Sequence, residues 1–313
     1  MPTLISIRSL RKWSDVEIHI ITLGFSDQQH DAYLKLSEPL DVIIHRMDRH
    51  WTDAFNRPEF NATHVPPSAL ARFYIPEFIC SEDIDRSDVL YVDGDTWFYD
   101  NPRELLDWPA PDEGVLAAED QSFFYRDDIG ETGKRVREYF AKIGVEKEDG
   151  YFNSGVLKFR AGKWRDIAAG CLDFLERNLA ICDYHDQSAL NAVVGRSRVR
   201  LSPRWNFQTP YWAWGAQELA KPGILHFVGG GKPWMGKLDP WRTIQDEYGK
   251  ARAEFRSTHF PLRLWSADEQ RANMRQERII HIKNRTIFFF RMLDRRNKFA
   301  NLLRESAELG SAA

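Results

Sequence analysis

Residues 88–95 read Asp88-Val89-Leu90-Tyr91-Val92-Asp93-Gly94-Asp95, and the fold turns on how they are read. Val89–Val92 is apolar at every position, the pattern of a strand covered on both faces rather than wetted on alternate residues. Two carboxylates follow at once, two residues apart. In an open α/β sheet, ligands bind beyond the carboxyl ends of the strands, so a site is expected here. Carboxylates this close repel unless a cation lies between them, and a cation also neutralises a diphosphate. Gly94 permits a tight turn and the close approach of a ligand. The plain alternative is an acidic Asp-Gly turn at a strand end, with no ligand at all.

Working outward, Glu17–Leu23 is a short apolar run stopped by Gly24 and reads as a strand, as does Val42–His45. Asp27–Leu36 lies between them with helical character. Pro66 and Pro67 precede Ser68–Ile79, whose apolar residues fall at helical spacing, with Ser68 near the cap position. Val115–Ala118, Ser154–Phe159 and Ile224–Val228 read as further strands, and Trp164–Leu179 as a helix. Strands alternating with helices predict an α/β domain with a mostly parallel sheet.

The 313 residues are 43% apolar, ample for a buried core. A net charge of −3 argues against a nucleic-acid binder. Cys80, Cys171 and Cys182 are odd in number and lack metal-type spacing, which disfavours a disulfide scaffold or structural zinc and suits a reducing, cytoplasmic compartment. No run of eighteen apolar residues occurs, and Met1–Lys12 lacks the apolar stretch of a secretory signal. Arg275–Arg304 is different in character: nine Lys/Arg against two acids give it +7, leaving −10 elsewhere. Ile279, Ile280, Ile282, Ile287–Phe290 and Phe299 are interleaved with these charges, reading as one or two basic amphipathic helices. Such a segment (275–304) suits peripheral attachment to an anionic membrane face; the plain alternative is a helix packed on the domain. The expected organisation is a catalytic-type domain over 1–250 and a basic helical tail over 251–313.

Four other stretches carry chemistry. Ile224-Leu225-His226 runs into Gly229-Gly230-Gly231-Lys232, whose backbone N–H groups can cradle phosphate oxygens beside the lysine charge. An imidazole such as His226 can complete the coordination of a divalent ion, and mixed N/O ligation favours manganese. Asn153-Ser154-Gly155 suits hydroxyl recognition, or is simply a turn. Asp186, in His185-Asp186-Gln187-Ser188, can be a helix N-cap. Trp205–Trp214 places five aromatics in ten residues, to stack on sugars or to plug a core.

Together these stretches, with ALARFYIPEFI (69–79), VLYVDGDTWFYDNPREL (89–105), YFNSGVLKFRAGKWRD (151–166), HDQSALNAVV (185–194), LSPRWNFQ (201–208) and ILHFVGGGKPW (224–234), resemble the retaining glycosyltransferases of family 8. That family includes bacterial lipopolysaccharide galactosyl- and glucosyltransferases and glycogenin. The resemblance implies a GT-A fold, a UDP-sugar donor, Mn2+ (or Mg2+) as cofactor, and transfer of galactose or glucose to a saccharide or glycolipid acceptor such as lipopolysaccharide. It makes Asp93, Asp95 and His226 the metal ligands. Gly229 and Lys232 would hold the diphosphate, and Gly94 and Ser154 would belong to the donor site. Arg72 and Asp120 would contact donor sugar or phosphate, Asn153 the sugar and Asp186 its hydroxyls, with Gln187 near the anomeric carbon. Read without the family, Arg72 is a helix-surface charge and Asp120 a solvated loop carboxylate. An amide at 187 is a poor nucleophile, so front-side attack beside the leaving diphosphate is the expected mechanism, with Asp186 and Asp120 as alternative nucleophiles.

Family members open with a strand bearing an Ala-x-Asp-x-x-Tyr segment, whereas Glu17–Leu23 matches the family's second strand. The expectation is therefore a GT-A sheet lacking its first strand. Two competing readings follow: a truncated, catalytically silent relative that binds a sugar or partner, and a membrane-surface structural protein.

Overall fold

The computed structural model describes residues 1–55, 67–79, 87–146, 150–236 and 242–311; Pro66, Cys80 and Trp241 lie outside them. The first elements are α1 (Pro2–Leu10), β1 (His19–Leu23), α2 (Asp27–Ser37) and β2 (Ile43–Met47). A 3₁₀ turn (Pro67–Tyr74) runs into α3 (Ile75–Phe78), followed by β3 (Asp88–Val92), β4 (Thr96–Phe98), α4 (Arg103–Asp107) and β5 (Leu116–Glu119). Then come α5 (Gln121–Tyr125), α6 (Glu131–Lys142), β6 (Phe152–Arg160), α7 (Ala161–Asn178), α8 (His185–Val194) and β7 (Val199–Arg200). The chain continues through β8 (Phe207–Gln208), α9 (Thr209–Ala213), β9 (Ile224–His226), α10 (Arg242–Glu254), α11 (Ala267–Arg285) and α12 (Phe289–Ser311). It divides into two compact units: Val16–Val92 with Trp108–Leu201, and Met1–Asp15 with Asp93–Asp107 and Ser202–Ala313.

In the first of these units β1 pairs in parallel with β2, and a separate sheet has the order β3-β6-β5-β7. Strand β6 runs antiparallel to both its neighbours and is buried along nearly its whole length, with α7 and α8 contributing to the same core. Val89–Val92 departs from expectation. Strand β3 is an edge strand among the described residues and only half-buried, because one side alone is paired. The sheets are mixed rather than dominated by parallel pairs, since β6 and β9 each run against a neighbour.

The segment 68–79 also differs from the single helix its spacing predicts. Pro76 has no N–H to offer the carbonyl of Arg72, four residues back, and the turn changes type beside it. The freed carbonyl accepts instead from Trp164 Nε1 at 2.8 Å. Trp164 in turn stacks on Phe159, ring centroids 3.9 Å apart, and this tryptophan ties the 3₁₀ turn to α7 and β6.

In the other unit β9 lies between β4 (antiparallel) and β8 (parallel). Helix α1 docks on β4 through Ser6 Oγ–Thr96 Oγ1 (2.7 Å) and the Phe98 N–H donated to Ser9 Oγ (2.8 Å). The aromatic run 205–214 is core: Trp205, Phe207, Tyr211 and Trp214 are buried, and Phe299 of α12 packs edge-on against Phe207 and Tyr211. The basic C-terminal segment is helical as expected, and one face of α12 (Met292, Phe299, Leu302) is packed on this unit.

Cys171 and Cys182 are both buried and not disulfide-bonded; burial raises both thiols, Cys182 to about 12. Thiolate is the reactive form. Folded protein at pH 8 is therefore expected to leave both unlabelled by iodoacetamide, as read by peptide mass mapping, with labelling appearing only on denaturation. Rapid alkylation of either in the folded chain would contradict this packing.

Candidate active site

Two clusters of the predicted site residues form, one in each unit. In the unit containing α1, β4 and β9, the antiparallel register pairs Thr96 with His226. Because Thr96 directly follows Asp95, this pairing brings the imidazole to the carboxylates. Ligand atoms of Asp93, Asp95 and His226 all lie within 4.8 Å of one another. His226 Nε2 stands 3.5 Å from Asp95 Oδ1 and 3.8 Å from Asp93 Oδ2. Lys232 Nζ donates to Asp95 Oδ2 at 2.6 Å and also contacts the Phe227 carbonyl. Burial alone would raise the Asp95 carboxyl, yet the His226 and Lys232 contacts hold it well below the ordinary carboxylate range. Two carboxylates and one imidazole at this spacing fit a divalent cation with mixed O/N ligation. Gly94 has no room for a side chain: a Cβ there would lie 2.3 Å from Thr3 Oγ1. Gly229, three residues past His226, has φ 85, a conformation that favours glycine.

In the unit containing β5, β6 and α8, the site grows from an irregularity. Ala117 pairs with Leu157, but Glu119 pairs with Phe152, so residues 153–155 of β6 drop out of the β5 register; β3 pairs β6 only as far as Val156. Buried backbone without a ladder partner must be satisfied otherwise. The Ser154 N–H donates to Gln187 Oε1 (3.1 Å), and the Ser154 carbonyl accepts from Arg72 Nη1 (2.6 Å). The Gly155 N–H donates to Asn153 Oδ1 (3.0 Å). The side chains then bond to one another. Asn153 Nδ2 reaches both Asp120 Oδ2 (3.0 Å) and Gln187 Oε1 (3.1 Å), and Ser154 Oγ donates to Asp186 Oδ2 (3.0 Å). Arg72 lies 3.2 Å from Asp186 and stacks over the Tyr91 ring. All six residues are buried.

This placement settles several plain alternatives. Arg72 is not a surface charge. Asp120 is not a solvated loop carboxylate: its Oδ1 caps α5 by accepting from the Ser122 N–H at 2.8 Å, while Oδ2 takes Asn153. Asp186 is not the N-cap of α8; that position is Tyr184, and the Asp186 carboxylate is spent on Ser154 and Arg72. His185 sits beside it with φ 32, uncommon for a residue with a side chain.

Two residues escaped the motif reading. Asn191 receives the Phe152 N–H on Oδ1 (2.8 Å) and donates Nδ2 to the carbonyls of Phe152 (2.9 Å) and Gln187 (2.8 Å). It thus fixes α8 to β6 next to residues 153–155. Asn206 bonds to His226. Both occur within the quoted stretches with an apolar residue on either side, which is the only signal the sequence carries for them.

A family model described as Glycosyl transferase family 8 matches residues 1–237. General stress protein A of Bacillus subtilis (strain 168) is 29% identical over 204 residues, 60% of this chain and 65% of that relative, so the chain spans just under two thirds of its length. Among solved structures, the galactosyltransferase LgtC in complex with donor and acceptor sugar analogs superposes with a TM-score of 0.66 at 22% identity, covering 82% of this chain and 92% of that one. The glycosyltransferase GlyE of Streptococcus pneumoniae TIGR4 matches at a TM-score of 0.53 and 18% identity, covering 81% and 59%. At these identities the structural likeness is one of fold, and it is the GT-A glycosyltransferase fold.

The Gly94 contact is testable by substitution. Gly94→Ala should destabilise the protein by about 1–3 kcal/mol through overpacking. Thr3→Ala removes the obstructing hydroxyl and should recover much of that loss. Denaturant titrations of the two single variants and the double variant read the coupling; strictly additive effects would mean that Thr3 does not confine Gly94.

Proposed function

Because this chain belongs to glycosyltransferase family 8, we propose that it transfers a hexose, galactose or glucose, from a UDP-sugar to a saccharide or glycolipid acceptor such as lipopolysaccharide, with retention at the anomeric carbon. The observation that carries the reading is the convergence of Asp93, Asp95 and His226, with Lys232 on Asp95. In this reading the three ligands hold manganese or, failing it, magnesium. The ion supplies positive charge to a diphosphate that becomes more negative as the anomeric C–O bond breaks. Lys232 and the backbone N–H groups around Gly229 add to that stabilisation. Gly94 keeps the acidic turn narrow.

Arg72, Asp120, Asn153, Ser154, Asp186 and Gln187 form the hydroxyl-recognising group of the donor sugar in this proposal. Their mutual hydrogen bonds favour front-side attack over a double displacement. Gln187 Oε1 already accepts from Asn153 and Ser154. Asp186 is neutralised by Arg72, and both Asp120 oxygens accept hydrogen bonds. Groups held this way are weak nucleophiles. They are suited to orienting hydroxyls and facing developing positive charge, while the acceptor hydroxyl attacks beside the departing diphosphate.

UDP-sugar turnover, measured with and without manganese, tests the reading. Asp93→Asn and Asp95→Asn are each expected to lower manganese-dependent turnover at least about 100-fold, as loss of a charge-stabilising group does, with the melting temperature little changed. Wild-type levels of transfer in either variant would remove these residues from the site.

A membrane-facing role for the C-terminal segment is proposed on separate grounds. Among the described residues no helix is long and apolar enough to cross a membrane. Yet Ile282, Ile287 and Phe290 are 61%, 73% and 81% exposed beside Lys283, Arg285 and Arg291, a combination suited to an anionic lipid surface. Basic residues contribute about 1 kcal/mol each there, with apolar insertion added. Ile287→Ser/Phe290→Ser is expected to abolish co-sedimentation with vesicles containing phosphatidylglycerol at low salt while leaving turnover of a soluble acceptor unchanged. Vesicle binding equal to that of the wild type would show that these side chains do not insert.

A further inference from the structure

The bond between Asn206 and His226 has a consequence for how an ion is received. Asn206 is fully buried at the end of the 3₁₀ turn Pro203–Asn206, and its Oδ1 lies 2.9 Å from His226 Nδ1. An amide oxygen only accepts, so Nδ1 carries the proton in this pairing, and Nε2 is the nitrogen turned toward Asp93 and Asp95. The backbone of the same residue is fixed independently, by the ladder pairs with Thr96 and Gln208 and by the Thr209 hydroxyl donated to the His226 carbonyl at 3.2 Å. The ring can still turn about its own side-chain bonds, and Asn206 holds it at Nδ1, the nitrogen away from Asp93 and Asp95.

We infer that Asn206 is a positioning residue that holds the His226 ring in the Nδ1–H form, with Nε2 presented as the metal-binding nitrogen. The inference rests on the metal reading of Asp93, Asp95 and His226. It extends that reading to a residue which touches neither ion nor substrate. Partners of this kind orient a ligating imidazole and raise its basicity, and their removal typically lowers metal affinity about 10–100-fold. A ring in the other tautomer would offer an N–H to the ion, and a ring turned over would offer a C–H; neither can bind it.

Two substitutions separate this role from simple packing. Asn206→Asp keeps the size and an oxygen acceptor at the same place, whereas Asn206→Leu keeps the branched shape at a somewhat larger volume and removes the acceptor. Calorimetric titration of each protein with Mn2+ in the presence of UDP reads affinity without turnover. The expected result is a loss of about 10–100-fold for Asn206→Leu, and affinity within a few-fold of wild type for Asn206→Asp. Equal losses in the two variants, or no loss in Asn206→Leu, would overturn the role of Asn206 while leaving the metal reading standing. A wild-type chain that takes up no Mn2+ would remove the metal reading, and the positioning role with it. The ring itself reports on wild-type protein loaded with diamagnetic Mg2+ and UDP, independently of whether the leucine variant folds. Nitrogen-15 spectra of the imidazole in that complex, where Asp93 and Asp95 face the ion, should show a protonated Nδ1 and an Nε2 without a proton. The opposite tautomer would overturn the inference.

Discussion

Buried backbone polar groups must be paired, and the stretch 153–155 is where that constraint shapes the molecule. These residues sit inside a strand yet belong to neither neighbouring register. Leaving a buried N–H or carbonyl without a partner costs on the order of 1–3 kcal/mol. Gln187, Arg72 and Asn153 itself take up the groups instead. The polar side chains that gather there are therefore required by the backbone before any ligand is considered. Arg72, once drawn in to serve the Ser154 carbonyl, is a buried cation and needs an anion; Asp186 supplies it at 3.2 Å. One irregularity in a strand thus accounts for a buried set of carboxylate, amide, hydroxyl and guanidinium groups, each with its orientation already determined.

The other cluster arises from a regular ladder. Strands β4 and β9 share only three register pairs, but one of them is Thr96 with His226. A one-residue slip would send the imidazole to the opposite face, away from Asp95. Helix α1 stiffens this short pairing from one side: Ser6 bonds the Thr96 hydroxyl, Ser9 takes the Phe98 N–H, and Thr3 closes on Gly94. Ladder and helix together bring two carboxylates and an imidazole within 4.8 Å, an arrangement that positive charge must offset. The His226 and Lys232 contacts hold the carboxyl of the half-buried Asp95 ionised.

These two origins explain which features could be read from the sequence. The acidic pair after Val92, His226 and the glycine turn were visible because each is a local pattern at the end of an apolar run. Strands β1, β2, β3, β5, β6 and β9 were visible for the same reason, with boundaries shifted by up to two residues, whereas β4, β7 and β8 were not. The edge position of β3 was not, since an apolar run reports only that it can be covered, not that a neighbour is there. Pro76 was a local signal passed over: its missing N–H predicts the change of turn type within 67–78. The strand partner of Asn191 and the imidazole partner of Asn206 lie 39 and 20 residues away in sequence, and nothing in the spacing of either residue announces them. Asp186 shows the converse. Its place in the first turn of α8 looks like a cap, and the buried cation of Arg72 outcompetes the helix for it.

The basic segment at the C-terminus packs one face on its unit and leaves apolar residues of another exposed. Helix α12 turns Phe299 and Leu302 into the core beside Phe207 and Tyr211, so it is an integral part of its unit. Ile287, Phe289 and Phe290, at and just before its first turn, remain more than half exposed, with Arg291 adjacent. A helix needs only one stripe of apolar residues to pack, so a sequence rich in apolar residues over more of its circumference leaves some of them in water. Keeping exposed Ile and Phe side chains beside arginines is unfavourable in water and favourable at an interface that offers both hydrocarbon and negative charge. Removing the helix to test that surface would also strip Phe299 from Phe207 and Tyr211. The core contribution and the surface contribution of this segment can therefore be separated only by changing the exposed residues one or two at a time.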